Sequence, residues 1–292
     1  MVDSHLRAEG RPHWQLEPMF LAGSAGLLHA TLFAAAQPSP ATILPDAILI
    51  APPFAEEMNK CRPMLGALAK EMAGNGQDVL LVDLFGTGDS GGDFSDATWE
   101  QWGDDLATAW RWLVARGAQR IHVVAVRSGA LLIAPLVRRF DVSQSTLVLW
   151  QPVLRGADYW RQFLRLRIAA DALRDTRDAI SPQAQLDRDN VIEIAGYTIS
   201  AKLASAMSAS ALEANDIGRF ADVLWAEVSL SDPPTLAPLA QRALTQWREQ
   251  GVRVDSIAVS GEAFWTTPEI GRAPELIAVT RKRLSTRQST IS

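Results

Sequence analysis

The stretch Ile121-His122-Val123-Val124-Ala125-Val126-Arg127-Ser128-Gly129-Ala130 decides how the chain reads. Its first six residues carry no acidic or basic group beyond one histidine, and they have the length and β-branched content of a buried strand. Leu131 to Val137 follows at once as an apolar, helix-like run. A strand that enters a helix this directly must turn sharply, and small residues two places before and after the tip allow it. Ala125 and Gly129 hold those places, and Arg127 stands at the tip. Such a turn presents its central residue at the top of a sheet, where a nucleophile would attack. A guanidinium stays protonated at any ordinary pH and cannot do so.

Outward from this turn, apolar runs alternate with amphipathic stretches, which predicts an α/β fold with a mainly parallel, doubly wound sheet. Strands are expected over Ala47 to Ala51, Val79 to Leu84, Ile121 to Val126, Leu147 to Trp150, Val223 to Leu230 and Ser256 to Ser260. Helices are expected over Met64 to Ala73, Trp99 to Ala115, Leu131 to Val137, Pro238 to Gln250 and from Arg272 onward. In the second of these, Trp102, Leu106, Trp110 and Leu113 recur at spacings of three and four and form one apolar face. The alternation breaks after Trp150, and Leu154 to about Phe220 reads as helical pieces without a long β-run. The expected organisation is a core of residues 1–153 and 221–292 with a helical cap insertion at 154–220, over the sheet edge where ligands bind in such folds.

The chain has 292 residues, 48% of them hydrophobic and 21% charged, which supports a large core and argues against disorder. A formal net charge of −5 argues against nucleic-acid binding. The single cysteine, Cys61, excludes an intramolecular disulfide and a Cys-based zinc site, and no metal is expected. Phe20 to Ala36 lacks charge but is short for a membrane span, and Gly23-Ser24-Ala25-Gly26 inside it predicts a β-hairpin instead. The N-terminus has acidic residues and no early apolar run, so the expectation is a cytoplasmic protein without a signal peptide or transmembrane segment. The basic, Ser- and Thr-rich tail from Arg281 is expected to fray.

Several segments resemble one family. Pro52-Pro53-Phe54-Ala55-Glu56-Glu57-Met58-Asn59-Lys60 is similar to a motif of the exosortase A system-associated hydrolases of the second type. So are Asp83-Leu84-Phe85-Gly86-Thr87-Gly88-Asp89-Ser90, Ala97 to Glu100, Leu149-Trp150-Gln151-Pro152-Val153, Phe163 to Arg167 and Ala195-Gly196-Tyr197. The resemblance runs from about Leu16 to Glu275. It implies membership of the α/β-hydrolase superfamily and a link to bacterial exopolysaccharide production. It implies a small-molecule substrate of acyl or glycan type that is not established, no cofactor, and other proteins of that system as partners. It also implies that an arginine at the elbow is shared by the family.

In that fold four loops converge on the elbow. The loop after Pro53 carries Glu56, Glu57, Asn59, Lys60 and Arg62, and supplies an oxyanion-hole amide in hydrolases. Its acids are read either as a functional cluster or as solvated surface pairs. Ser90, in the Gly-rich loop, is read as structural. Ser128 is a poor nucleophile, because Val126 crowds the flank it would need. Asp232 follows the strand where a triad acid would lie, while Glu262 and Trp265 follow the last strand, where the triad histidine would lie. The four histidines are His5, His13, His29 and His122, so none follows the elbow. His29, His122 and Cys61 are read as structural. For Arg127, two readings stand: an ion-pair hub with Glu56, Glu57, Asp232 or Glu262, or a receptor for a carboxylate or phosphate. They correspond to two functions. One is a hydrolase or acyl transferase with atypical machinery and catalytic candidates Arg127, Ser128, Asp232 and Glu57. The other is a noncatalytic anion-binding or scaffold protein, and in both Glu56, Asn59, Lys60, Glu262 and Trp265 are ligand-contact candidates.

Overall fold

The computed structural model describes residues 14–35, 46–173, 180–267 and 269–285. Eight strands form one sheet: β1 (Trp14–Ala22), β2 (Leu27–Ala35), β3 (Asp46–Ala51), β4 (Asp78–Val82), β5 (Arg120–Val126), β6 (Thr146–Trp150), β9 (Asp222–Ser229) and β10 (Val254–Ser260). Their spatial order is β1-β2-β4-β3-β5-β6-β9-β10. β2 lies antiparallel to β1 and to β4, and every other pairing is parallel. The expected hairpin over Phe20 to Ala36 is β1–β2, turning at Gly23 to Gly26, although Ala36 lies outside the described residues. Among the described residues no helix is long and apolar enough to cross a membrane.

Helices cover both faces of the sheet. α2 (Trp99–Ala115), α3 (Ile133–Arg139) and α8 (Pro238–Glu249) pack with Leu49, Val123, Leu147, Leu149, Val223 and Trp225. α1 (Ala55–Gly74) and α9 (Pro274–Ser285) pack with Ile48, Ile50, Val124, Val126, Val148 and Trp150. Consecutive residues of one strand thus serve opposite cores, as the two-residue period of a strand requires. Both faces are buried, which is why these strands read as continuous apolar runs.

Two expectations need correction here. Residues Phe54 to Arg62 are not a loop, because α1 begins at Ala55 and Pro63 lies inside it. Pro63 removes one helical hydrogen bond, that to the carbonyl of Asn59, and Asn59 is exposed to water, so the loss is small. The segment between β6 and β9 is not wholly helical. It holds α4 (Gly156–Leu173), α5 (Pro182–Asp189), α6 (Ala201–Ala209) and α7 (Ala214–Ile217), with an antiparallel hairpin of β7 (Val191–Ile194) and β8 (Tyr197–Ser200) between α5 and α6. The tail is helical to Ser285 in α9, and residues 286–292 lie outside the described ones.

Candidate functional site at the C-terminal edge of the sheet

Three neighbouring strands end in the same unusual way. After β3, β5 and β6 the chain places Ala55, Arg127 and Gln151 at φ of 49°, 52° and 44°. None is glycine, and a side chain in the left-handed region costs about 1–2 kcal/mol. Strained residues of this kind cluster where a structure holds a site in shape. The β5 turn is tight for a second reason. A Cβ on Gly129 would stand 2.3 Å from the Ala51 carbonyl oxygen and 2.6 Å from that of Pro52, so only glycine fits against the end of β3. Arg127 opens a 3₁₀ turn to Leu132, and α3 therefore starts at Ile133, two residues later than its sequence suggests.

The Arg127 side chain is 14% exposed and fully engaged. Its Nη2 donates to Glu57 Oε1 at 3.1 Å and its Nε lies 3.3 Å from Oε2. Nη1 donates to the Gln151 carbonyl at 3.1 Å. The Trp265 ring lies below the guanidinium, 5.1 Å from ring centre to Cζ, a cation–π distance. Of the four carboxylates considered for Arg127, Glu57 is the partner. Gln151 is held in turn, its side-chain oxygen accepting from the Val228 amide at 3.0 Å.

Glu57 is equally enclosed, and burial pushes its carboxyl above the usual glutamate range although Arg127 pulls the other way. Tyr159, from α4, is buried. It faces Glu57 and Ser128, and burial followed by the Glu57 charge raises it well above a free tyrosine. Cys61 is buried, and burial with the nearby Glu57 charge raises its thiol, so it is no nucleophile.

Ser128 is buried, and its hydroxyl accepts the Phe54 amide at 2.8 Å. That amide sits in the segment that supplies an oxyanion donor in hydrolases. Here the serine oxygen takes up that donor. Phe54 itself is wedged among Phe94, Trp102, Tyr159 and Phe163, with ring centres 5.2–6.1 Å away.

The remaining candidates surround this centre rather than join it. Asn59 donates to the Tyr197 hydroxyl at 2.7 Å, tying α1 to β8. Lys60 reaches the Thr266 carbonyl at 3.3 Å, beside Trp265, and lies 3.7 Å from Glu56. Glu262 is exposed and caps its own loop, accepting the Arg272 amide at 2.7 Å. Asp232 is exposed and makes no hydrogen bond with a described residue. Ser90 is structural: its hydroxyl donates to the Asp83 carbonyl and accepts the His29 amide, at 2.6 and 2.8 Å. His29 faces the Asp83 carboxylate at 3.4 Å, in a knot completed by Arg62 at 2.9 Å. His122 lies at the far end of the sheet. Sequence reasoning missed Gln151 and Tyr159. The first had a signal, a polar residue ending an apolar strand, and the second had none.

No protein-family model matches the chain, and no curated protein matches it. Solved structures do. Est1E from Butyrivibrio proteoclasticus, solved with ferulic acid, superposes with a TM-score of 0.61 at 15% identity, over 92% of this chain and 98% of that one. The chain has the α/β-hydrolase fold. Proline iminopeptidase from Mycobacterium smegmatis gives 0.58 at 15% identity, over 94% and 100%. XC6422 from Xanthomonas campestris, described as an α/β serine hydrolase without a lid, gives 0.55 at 13% identity, over 95% and 97%. Against that fold, the elbow tip holds Arg127, and Trp265 occupies the loop after the last strand that would carry a catalytic histidine.

Proposed function

We propose that the chain is an α/β-hydrolase-fold member of a bacterial exopolysaccharide and exosortase A system, acting in the cytoplasm as a binding or scaffold protein. The observation that carries this reading is the occupied elbow: Arg127 is bound by Glu57, the Gln151 carbonyl and Trp265, while the Ser128 oxygen accepts the Phe54 amide. A serine hydrolase needs a free hydroxyl beside a base. Among the described residues no histidine is hydrogen-bonded to Ser128. The assignment to that system is supported by the segments Pro52 to Lys60 and Asp83 to Ser90. In this reading residues 154–220 form a cap, since Tyr159 and Phe163 cover Phe54, and Tyr197 binds Asn59. Arg127 is the anchor, and an anionic ligand reaches it by displacing Glu57. Glu56, Asn59 and Lys60 form the rim.

One observation favours a second reading, an atypical hydrolase or acyl transferase. Burial lifts Glu57 toward the range in which a carboxylate works as a base for water. The two readings separate on p-nitrophenyl acetate and butyrate, with wild type, Ser128→Ala and Glu57→Gln side by side. The proposal expects rates equal to buffer for all three. A wild-type rate lost only in Glu57→Gln establishes the second reading, and one lost in Ser128→Ala restores a serine hydrolase.

A further inference from the structure

A groove of about 700 Å³ runs along the flank of the molecule, between α2 and α3 on one side and α6 and α7 on the other. It lies away from Arg127, and nothing above uses it. Its apolar lining is Trp99, Leu131, Pro135 and the small side chains of Ala134, Ala206, Ala209 and Ala211. The α2 and α3 side bears Arg138 and Arg139, at the end of α3, and Glu100, at the start of α2. The other bears Glu213 and Asp216. Arg138 is exposed and makes no hydrogen bond with a described residue. Its charge faces Asp216, whose pKa burial raises and Arg138 lowers, without an ion pair between them. The groove is thus of ligand size, with donors and acceptors along its walls and one aromatic ring, Trp99.

That pattern excludes most ligand classes in turn. A strong anion would meet Glu213 and Asp216, and a strong cation would meet Arg138. An acyl chain would strip water from both walls and return no hydrogen bonds. An extended peptide adds to a free strand edge or, if Pro-rich, docks among several aromatic rings, and this groove is lined by helices and the turns beside them with a single ring, Trp99. A helical peptide needs deep apolar pockets, and alanine methyls do not make them. What remains is a neutral chain with hydroxyls along both edges and C–H faces between them.

We propose that this groove binds a short neutral oligosaccharide, with Trp99 stacking on a sugar face and Arg138, Glu213 and Asp216 hydrogen-bonding its hydroxyls. Aromatic stacking supplies the apolar contact, and planar guanidinium and carboxylate groups match pairs of adjacent hydroxyls. Trp99 also lines the small internal cavity that Ser128 and Phe54 border.

Saturation-transfer NMR on the full chain tests this, with maltotriose, cellotriose and laminaritriose as probes at millimolar concentration. The expected result is transfer to at least one trisaccharide, with affinity weakened by about tenfold in Arg138→Gln and in Asp216→Asn, a change of roughly 1.4 kcal/mol. Trp99→Ala should abolish it. Arg138 is exposed, so its variant will fold even if the tryptophan variant does not. Transfer to none of the three sugars overturns the proposal. So does binding that survives Arg138→Gln and Asp216→Asn, or binding of tetra-alanine in place of the sugars.

Discussion

Strand β5 begins with one arginine and is followed at once by another, and each holds a carboxylate borne on or after β3. At the start, Arg120 grips Asp46 through two near-ideal bonds of 2.8 and 2.7 Å. His122 completes the cluster. The Thr146 amide donates to its Nδ1 at 2.9 Å, so the ring proton sits on Nε2, 3.5 Å from Asp46. Burial alone would raise Asp46, but the contacts from His122 and Arg120 outweigh it, and its carboxyl titrates below the usual range. At the end of β5, Arg127 meets Glu57 at 3.1–3.4 Å from a left-handed backbone, and Glu57 titrates above its usual range. The chemistry of the two pairs is the same, and their balance is opposite. The first is arranged for stability. The second is held in place against strain and burial, as a site is.

The largest expected effect is at the first pair. Asp46→Ala leaves Arg120 without its carboxylate in an environment that exposes only 10% of its side chain, and should cost about 3–5 kcal/mol in urea unfolding. Arg127→Ala should cost less, about 1–3 kcal/mol, because the orphaned Glu57 escapes by taking up a proton. Arg127→Gly should be about 1 kcal/mol more stable than Arg127→Ala, since glycine relieves the left-handed strain. Equal costs at Asp46 and Arg127 would break the contrast between the two ends.

How far the sequence reaches is visible in this same contrast. The six core strands, and Arg127 at a strand-to-helix turn, followed from apolar runs and from the spacing of Ala125 and Gly129. The start of α1 did not, because Pro63 marks a helix start far more often than an interior, and the exposure of Asn59 that excuses it is a tertiary fact. The β7–β8 hairpin hid behind Ala195-Gly196, both left-handed here, because alanine lacks the local hydrogen bond that makes Asn-Gly so clear a signal. Which acid pairs with Arg127 was open among four residues. The pairing of β3 beside β5 brings Glu57 to it, while Asp232, beyond the end of β9, stays in solvent. Tyr159 arrives from a segment 32 positions beyond Arg127, and no local pattern marks it.

The smaller effects lie in the pH dependence, and their signs differ. Asp46 has a lowered native pKa, so its contribution is full above the ordinary aspartate range and is lost as pH falls through it. The stability gap between wild type and Asp46→Asn should therefore close between about pH 5 and pH 3. Glu57 has a raised native pKa, so its contribution is full below the ordinary glutamate range and is lost as pH rises through the native value. Glu57→Gln should therefore gain on wild type from about pH 4 to pH 7. Urea midpoints for the two variants across that range give the slopes, and slopes of one sign would show that the two pairs are alike.

The central claim is that the elbow carries an occupied arginine in place of a working nucleophile. Intact-mass analysis after treatment with a fluorophosphonate probe tests it most directly, because the probe forms a covalent adduct only with an activated serine. The account predicts an unmodified mass for wild type and for Ser128→Ala. A stoichiometric adduct on the wild-type protein that disappears in Ser128→Ala would contradict it.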